Sequence, residues 1–453
     1  MQSLSVITLG CSKNTVDTEH ILSQIEGRFS VVRYDGGLDS IDINELSSDV
    51  VLINTCGFIG DAKEESINTI LAVVERKRSG NVGKIIVFGC LSQRYSSELP
   101  DLIPEVDEWY GARDFNPVIR ALGAVPDSNL NNRRSIKGPA EGGLPYAYLK
   151  ISEGCDRRCA YCAIPYIRGK HRSVPIEDLV DEARDLASHG IRELVIIAQD
   201  STYYGLDLYH RRALAELLQR LSEVDCIHWI RIHYSYPADF PEDVLEQMAH
   251  NPKVCRYMDI PLQHISDKVL DKMHRNVTGE WTRALVERMR ERVPGLVLRT
   301  TMIVGHPGEG PAEFKELLDF VSEARFERLG AFCYSEEEGT YGAINYKDSI
   351  RPSTKKRRLD QLMTLQREIS FDFNRSRVGS VEEVIVDSWS AKDGILVCRS
   401  EFESPEVDGE ILVEYNPAVM GDVDPAAMVG RFMKVRIANA DEYDLIANVE
   451  EVL

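Results

Sequence analysis

Three cysteines stand close together in the stretch SEGCDRRCAYCAIPYIRGKHRS, residues 152–173, as Cys155, Cys159 and Cys162. A Cys-x-x-x-Cys-x-x-Cys spacing lets three thiolates converge on one centre, and thiolate is a soft ligand suited to zinc or to an iron–sulfur cluster. A structural zinc site would be closed by a fourth Cys or His, and His171 is the nearest candidate. A cubane of four irons held at three corners instead leaves one iron open to a small chelating molecule, and the aminocarboxylate of S-adenosylmethionine suits that opening. Cysteines that serve only structure are the bland alternative. The run AYLKIS, residues 147–152, reads as a β-strand. The three thiols therefore sit on a loop just past a strand end, where a sheet or barrel places its chemistry.

Three further cysteines are far apart in sequence yet share a position. Strands are expected at residues 4–9, 29–34, 49–55 and 84–88, with helices at 16–26 and 62–76 between them. This alternation, and the near-continuous apolar runs VVLIN and KIIVF, argue for a doubly wound α/β domain with a buried parallel sheet. Cys11, Cys56 and Cys90 each lie beside a glycine just past one of these strands. The carboxyl ends of such strands face one crevice, so the three thiols are expected to meet there as a second cluster-binding trio. Any one of them alone reads as an ordinary buried cysteine. Cys226, Cys255, Cys333 and Cys398 have no partner at motif spacing and read as structural.

The elements that must carry the first trio follow a polar, Gly- and Pro-containing linker at residues 124–144. Strands are expected at 193–198, 229–233, 257–261, 297–304 and 328–333, separated by helices that include 176–188, 212–224 and 311–324. With the strand before the cysteine loop this makes six βα units, too few for a closed eight-stranded barrel. A partial, open (β/α)6 barrel over residues 145–350 follows, with a side that could admit a large substrate. Polar residues gather at its strand ends: Gln199, Asp200, Ser201, Ser235, Gln263, His264, Thr300, Thr301 and the turn GHPG at 305–308. By position these could hold a cofactor or substrate, although each is also an ordinary loop residue. A connecting helix at 351–378, with a basic start KKRR, reads as a solvated joint. From residue 379 to 453 five short alternating strands suggest a small antiparallel barrel of the OB-like sort.

The chain has 453 residues and a formal charge of −20, which counts against a generic nucleic-acid binder and suits a basic partner. Residues 379–453 hold 17 Asp and Glu against 5 Lys and Arg, a net of −12. A barrel that grips RNA should be basic, so this one is expected to shun RNA and to attract a basic protein. No stretch approaches the roughly 18 unbroken apolar residues of a membrane helix, nor does the start resemble a signal peptide. Cytoplasmic residence is the expectation, and ten cysteines in that compartment point to metal or redox chemistry.

The loop at 152–173, with Tyr161 before its third cysteine, is similar to the signature of the radical S-adenosylmethionine enzymes. Taken with LGCSKNTVDTE at 9–19, MDIPLQHIS at 258–266 and SPEVDGEILV at 404–413, the whole chain resembles the methylthiotransferases. That resemblance implies an N-terminal domain (residues 1–123) whose Cys11, Cys56 and Cys90 hold an auxiliary 4Fe–4S cluster, and a radical-SAM core whose Cys155, Cys159 and Cys162 hold the catalytic one. It also implies a C-terminal TRAM barrel at 379–453. Tyr161, Gln199 and Gly305 are the residues expected beside S-adenosylmethionine. Within the family the motifs resemble the branch that acts on an aspartate β-carbon in small-subunit ribosomal protein twelve, with a flavodoxin or ferredoxin as electron donor. A 5′-deoxyadenosyl radical would remove the unactivated hydrogen, and the auxiliary cluster would present a methylated sulfur. The competing readings are a tRNA adenosine methylthiotransferase of the MiaB-like branch and a two-cluster electron carrier, which would need four thiolates per cluster.

Overall fold

Five parallel strands carry the amino-terminal part of the chain in the computed structural model, which describes residues 1–37, 40–421 and 423–453. They are β1 (Gln2–Thr8), β2 (Phe29–Asp35), β3 (Ser48–Thr55), β4 (Val82–Gly89) and the two-residue β5 (Glu108–Trp109), in the order β2-β1-β3-β4-β5. Helix α1 (Ser12–Gln24) follows β1 and α2 (Gly60–Arg78) follows β3. The apolar runs bury both faces of the middle strands: Val51, Ile53, Ile85 and Val87 pack in one core and Leu52, Ile86 and Phe88 in the other. That is the pattern of a doubly wound sheet, as the sequence suggested. Strand β5 escaped the sequence reading because two residues carry no periodicity.

Six parallel strands form the second sheet: β6 (Tyr146–Lys150), β7 (Glu193–Ile197), β8 (Trp229–Ile232), β9 (Val254–Asp259), β10 (Val297–Val304) and β11 (Arg328–Cys333). They stand side by side in chain order, so β6 and β11 are free edges and the partial barrel stays open. Helices Ile176–Ser188, Leu214–Ser222 and Pro311–Ala324 lie close to where apolar spacing placed them.

Five strands close the C-terminal barrel: β12 (Val381–Ser390), β13 (Ile395–Arg399), β14 (Ile411–Glu414), β15 (Phe432–Ala440) and β16 (Leu445–Val452). Four pairings are antiparallel, but β14 and β16 run parallel. The small OB-like barrel expected from the sequence is present, mostly antiparallel, and its one parallel pairing has a topological reason. An odd number of strands in a closed ring cannot alternate direction all the way round.

By compactness the chain divides into two units. One comprises Met1–Ile136, Ser152–Arg172 and Glu337–Thr340; the other comprises Lys137–Ile151, Ser173–Glu336 and Tyr341–Leu453. The second unit therefore holds both the six-stranded sheet and the small barrel, and a dense set of buried charges joins them. Glu193 at the start of β7 pairs with Arg231 at 2.7 Å and with Arg399 at 2.8 Å, all three buried. Glu403 takes Arg328 at 3.0 Å and also Arg377. Tyr146 and Tyr148 donate to Glu406, Tyr257 donates to Asp408, and Ser404 bonds His233. The barrel segment 399–408 thus reaches several strands of the sheet. Several acids that the sequence reading counted toward an acidic outer surface are spent on this inner joint.

The connecting helix (Pro352–Ser376) is not merely solvated. Lys355 and Arg358 are buried: Lys355 donates to the Tyr334 carbonyl at 2.8 Å, and Arg358 pairs with the fully buried Glu309 at 2.6 Å. A run of four basic residues reads as a solvated face by composition alone, but helical spacing turns Lys355 and Arg358 to the same inward side.

Candidate functional site

The first unit contains all six motif cysteines. Cys11 caps the start of α1, Cys56 follows β3 directly, and Cys90 opens α3 (Cys90–Arg94) after β4. Because β1, β3 and β4 are neighbours in the sheet, their carboxyl ends bring the three residues to one place. Burial pushes the Cys90 thiol up to about 12, and nearby Cys11 and Cys56 push it the same way while Arg168 opposes them. Burial likewise raises the Cys56 thiol. A ligand that takes these sulfurs as thiolates must displace their protons.

Glycine is required at one of these turns. Gly89 has φ +110°, and a Cβ there would meet Asn54 Oδ1 at 2.5 Å and the Thr55 backbone at 2.6 and 2.7 Å. Such closeness lets β3 and β4 end side by side beneath Cys56 and Cys90. Asn14, fully buried, stitches the neighbouring ends: its Nδ2 donates to the Leu9 carbonyl at 2.8 Å and to the Thr55 carbonyl at 3.2 Å. Asn54 Nδ2 in turn donates to the Asn14 carbonyl at 2.9 Å.

The loop with Cys155, Cys159 and Cys162 is fixed by its own backbone and by the first unit. Cys155 N–H donates to the Gly169 carbonyl at 3.1 Å and Cys162 N–H to the Cys159 carbonyl at 3.1 Å. Gly154 has φ +80°, and a Cβ there would run into the backbone oxygens of Gly169 and Lys170. Ala163 and Ile167 pack with Cys90 and Ala112. Arg113 donates to the Ile167 and Tyr166 carbonyls at 2.9 and 2.5 Å. Cys155 lines a cleft of about 310 Å³ with Asp156, Arg158, Pro165, Gly169 and Lys170. Tyr161 lies half-buried in the same loop.

Arg168 ties the loop to the other trio. Its side chain is 2% exposed; Nε donates to Cys90 Sγ at 3.2 Å, Nη2 to Asn14 Oδ1 at 2.6 Å, and Nη1 to Asp17 at 2.7 Å and Glu153 at 3.1 Å. Sequence reasoning missed both Asn14 and Arg168 as working residues, although each lies inside a quoted motif, LGCSKN and YIRGKH. Among the described residues no group of three or more His, Cys, Asp and Glu is arranged to hold a single metal ion. A cubane is broader than an ion and asks for thiols set wider apart.

Gln199 and Gly305 fall in the second unit. Gln199 follows β7 and is half-buried. Gly305 opens the turn after β10, where an added Cβ would collide with the Lys355 stem; its N–H donates to Glu309 at 2.8 Å. Glu309 also accepts from Arg358 and faces His264 at 3.4 Å. The connecting helix thus braces the turn, a role the sequence did not reveal. Ser235 is buried, and neither its hydroxyl nor the Gln263 side-chain oxygen Oε1 has a hydrogen-bond partner among the described residues. Of the four remaining cysteines, Cys255 and Cys398 are core residues. Cys226 is exposed on a turn.

An α/β domain with cysteines at three strand ends, an open six-stranded parallel sheet whose first strand is followed by a three-cysteine loop, and a small closed barrel together define a radical-SAM protein with an added cysteine domain. The Radical SAM superfamily matches residues 149–321, the uncharacterized protein family UPF0004 residues 3–111, and the TRAM domain residues 378–449. Among solved structures, the radical S-adenosylmethionine methyltransferase TsrM from Kitasatospora setae shares the fold at a TM-score of 0.55. It covers 95% of this chain and 82% of its own, with 14% identity. The ribosomal protein uS12 methylthiotransferase RimO of Bacteroides fragilis is 47% identical over 99% of both chains. That of Porphyromonas gingivalis is 49% identical over 98% of both. The chain belongs to the RimO family of radical-SAM methylthiotransferases, which use S-adenosylmethionine with a 4Fe–4S cluster. Among the described residues no helix is long and apolar enough to cross a membrane.

Proposed function

We propose that this chain adds a methylthio group to the β-carbon of an aspartate in ribosomal protein uS12, in the cytoplasm. The observation that carries the reading is near-full-length identity of 45–49% to proteins bearing that activity in their names. Cys155, Cys159 and Cys162 hold the radical-SAM cluster, and Cys11, Cys56 and Cys90 hold a second one. When bound, these groups and S-adenosylmethionine supply hydrogen abstraction at an unactivated carbon and a sulfur donor. Three thiols per site, rather than four, fit clusters that each keep a corner open for chemistry.

The residues of the chain bind, orient and exclude. Tyr161, Gln199 and Gly305 are the proposed neighbours of S-adenosylmethionine. Cys90 and Cys155 are buried, Cys56, Cys159 and Cys162 half-buried and Cys11 exposed, so each trio has one thiol shielded from water, and limited solvent protects a reactive radical from side reactions. Glu410, Glu414, Asp424 and Asp441 stay exposed on the barrel, and they supply the acidic surface for a basic ribosomal protein. The same surface disfavours RNA. A flavodoxin or ferredoxin is the proposed electron donor. Mass spectrometry of small-subunit ribosomal proteins from cells with and without this chain tests the reading. One methylthio increment on uS12, dependent on the chain, is expected; unmodified uS12 together with a chain-dependent methylthioadenosine in tRNA would transfer the assignment to the tRNA-modifying branch.

A further inference from the structure

Arg168 sits where the two trios meet, and it makes a contact that charge balance alone does not require. Asp17 and Glu153 already answer its positive charge through Nη1. Its Nε–H nevertheless points at Cys90 Sγ, 3.2 Å away, and its Nη2 at Asn14 Oδ1, 2.6 Å away. The guanidinium is rigid and planar, so fixing Nη1 and Nη2 also fixes the direction of Nε. All of this happens in a place closed to water, with Arg168 2% exposed, Asp17 at 1% and Asn14 at 0%.

We propose that Arg168 is a positioning residue that sets the reduction potential of the cluster held by Cys11, Cys56 and Cys90, through the hydrogen bond from its Nε to the Cys90 sulfur. The inference rests on the reading of that trio as cluster ligands. A hydrogen bond to a ligating sulfur draws electron density from it and stabilises the reduced, more negative cluster, which raises the potential. Burial strengthens the effect, because little solvent screens it. Since two carboxylates offset the charge of Arg168, the directional bond is the larger part of its influence. The same side chain links the two trios mechanically, because it follows Cys162 by six positions while touching Cys90.

The test uses the full chain with Cys155, Cys159 and Cys162 all replaced by Ala, reconstituted anaerobically so that only the auxiliary cluster is present. Iron content is measured first, then the midpoint potential by redox titration followed by electron paramagnetic resonance. Two substitutions are compared on this background. Arg168→Lys keeps the charge but loses Nε, and Arg168→Gln with Asp17→Asn removes the buried pair at unchanged net charge, with Glu153 left in place. Both are expected to retain iron and to titrate at a lower potential than the parent. If the double variant loses iron, the lysine variant decides. Retained iron with an unchanged potential in Arg168→Lys overturns the proposal for Arg168. A parent protein that takes up no iron would instead overturn the assignment of Cys11, Cys56 and Cys90 as ligands, a result distinct from the first.

Discussion

The two cysteine trios reach a similar end by opposite means. Cys155, Cys159 and Cys162 are neighbours in the chain, and a loop closed by its own backbone bonds gathers them. Cys11, Cys56 and Cys90 are gathered only because β1, β3 and β4 are adjacent in a parallel sheet. The first arrangement is local and tolerates change in distant packing. The second depends on every contact that keeps three strand ends level. Substitutions that separate the trios therefore test whether this difference is real.

The largest effect is expected from the thiols themselves. Cys159→Ala should abolish formation of 5′-deoxyadenosine from S-adenosylmethionine. Cys56→Ala should leave that cleavage in place while methylthio product disappears. Chromatography of both products in one reaction mixture separates the cases. A Cys56→Ala protein that still made full methylthio product would remove the distinct role of the strand-end trio.

The joint between the six-stranded sheet and the small barrel gives the next effect and serves as a control remote from the cysteines in sequence. Burial alone would raise the carboxyl of Glu403, but the guanidiniums of Arg377 and Arg328 outweigh it and hold it at about 2. Glu403→Gln leaves these cations without their carboxylate, and breaking a buried pair costs roughly 3–5 kcal/mol. Because the folded-state value lies below the unfolded one, near 4.5, the stabilisation is complete above about pH 4.5. It is lost as the pH falls toward about 2. Urea unfolding of the native chain should therefore weaken across that window, and Glu403→Gln should flatten the dependence. Iron bound by either trio should be unchanged at neutral pH.

How much of this was readable beforehand follows the same division between local and distributed. The loop trio is a spacing, so the sequence displayed it outright. The strand-end trio needed a topology first, and the buried runs VVLIN and KIIVF provided enough of one. The inner joint was not readable: Glu193, Arg231 and Arg399 look like surface charges, and nothing in their spacing shows that strand pairing and barrel closure bring them together. Lys355 and Arg358 were misread for a related reason, since composition describes a helix and not the face it presents. Asn14 and Arg168 lay within recognised motifs, but one strand of text does not show which of its residues face each other.

A smaller effect comes from the two glycines. Gly89→Ala forces a side chain into a left-handed position against Asn54 and Thr55, and Gly154→Ala does the same against Gly169 and Lys170. Backbone strain of this kind costs about 1–3 kcal/mol before the collision is counted. Gly89→Ala should lower iron retained on a protein lacking the loop cysteines. Gly154→Ala should lower it on a protein lacking Cys11, Cys56 and Cys90. Iron loss from both trios in either single variant would mean that the trios are one cooperative structure.

The smallest effect separates two arginines that hold the same loop. Arg168 is buried and bonds the Cys90 sulfur, whereas Arg113 is exposed and reaches only the carbonyls of Tyr166 and Ile167. Each bond to a carbonyl is worth about 1 kcal/mol, and water can replace the donor at an exposed position. Arg113→Ala should therefore cost less than that, leave the iron of both trios intact, and speed proteolysis near residues 166–170 as the loop loosens. The strand-end trio should not register the change, because Arg168 still spans Asn14, Asp17 and Cys90. If Arg113→Ala altered the spectrum of the cluster on Cys11, Cys56 and Cys90, the loop would have to be counted among the elements that shape that site, and the contrast between a local and a distributed trio would fail.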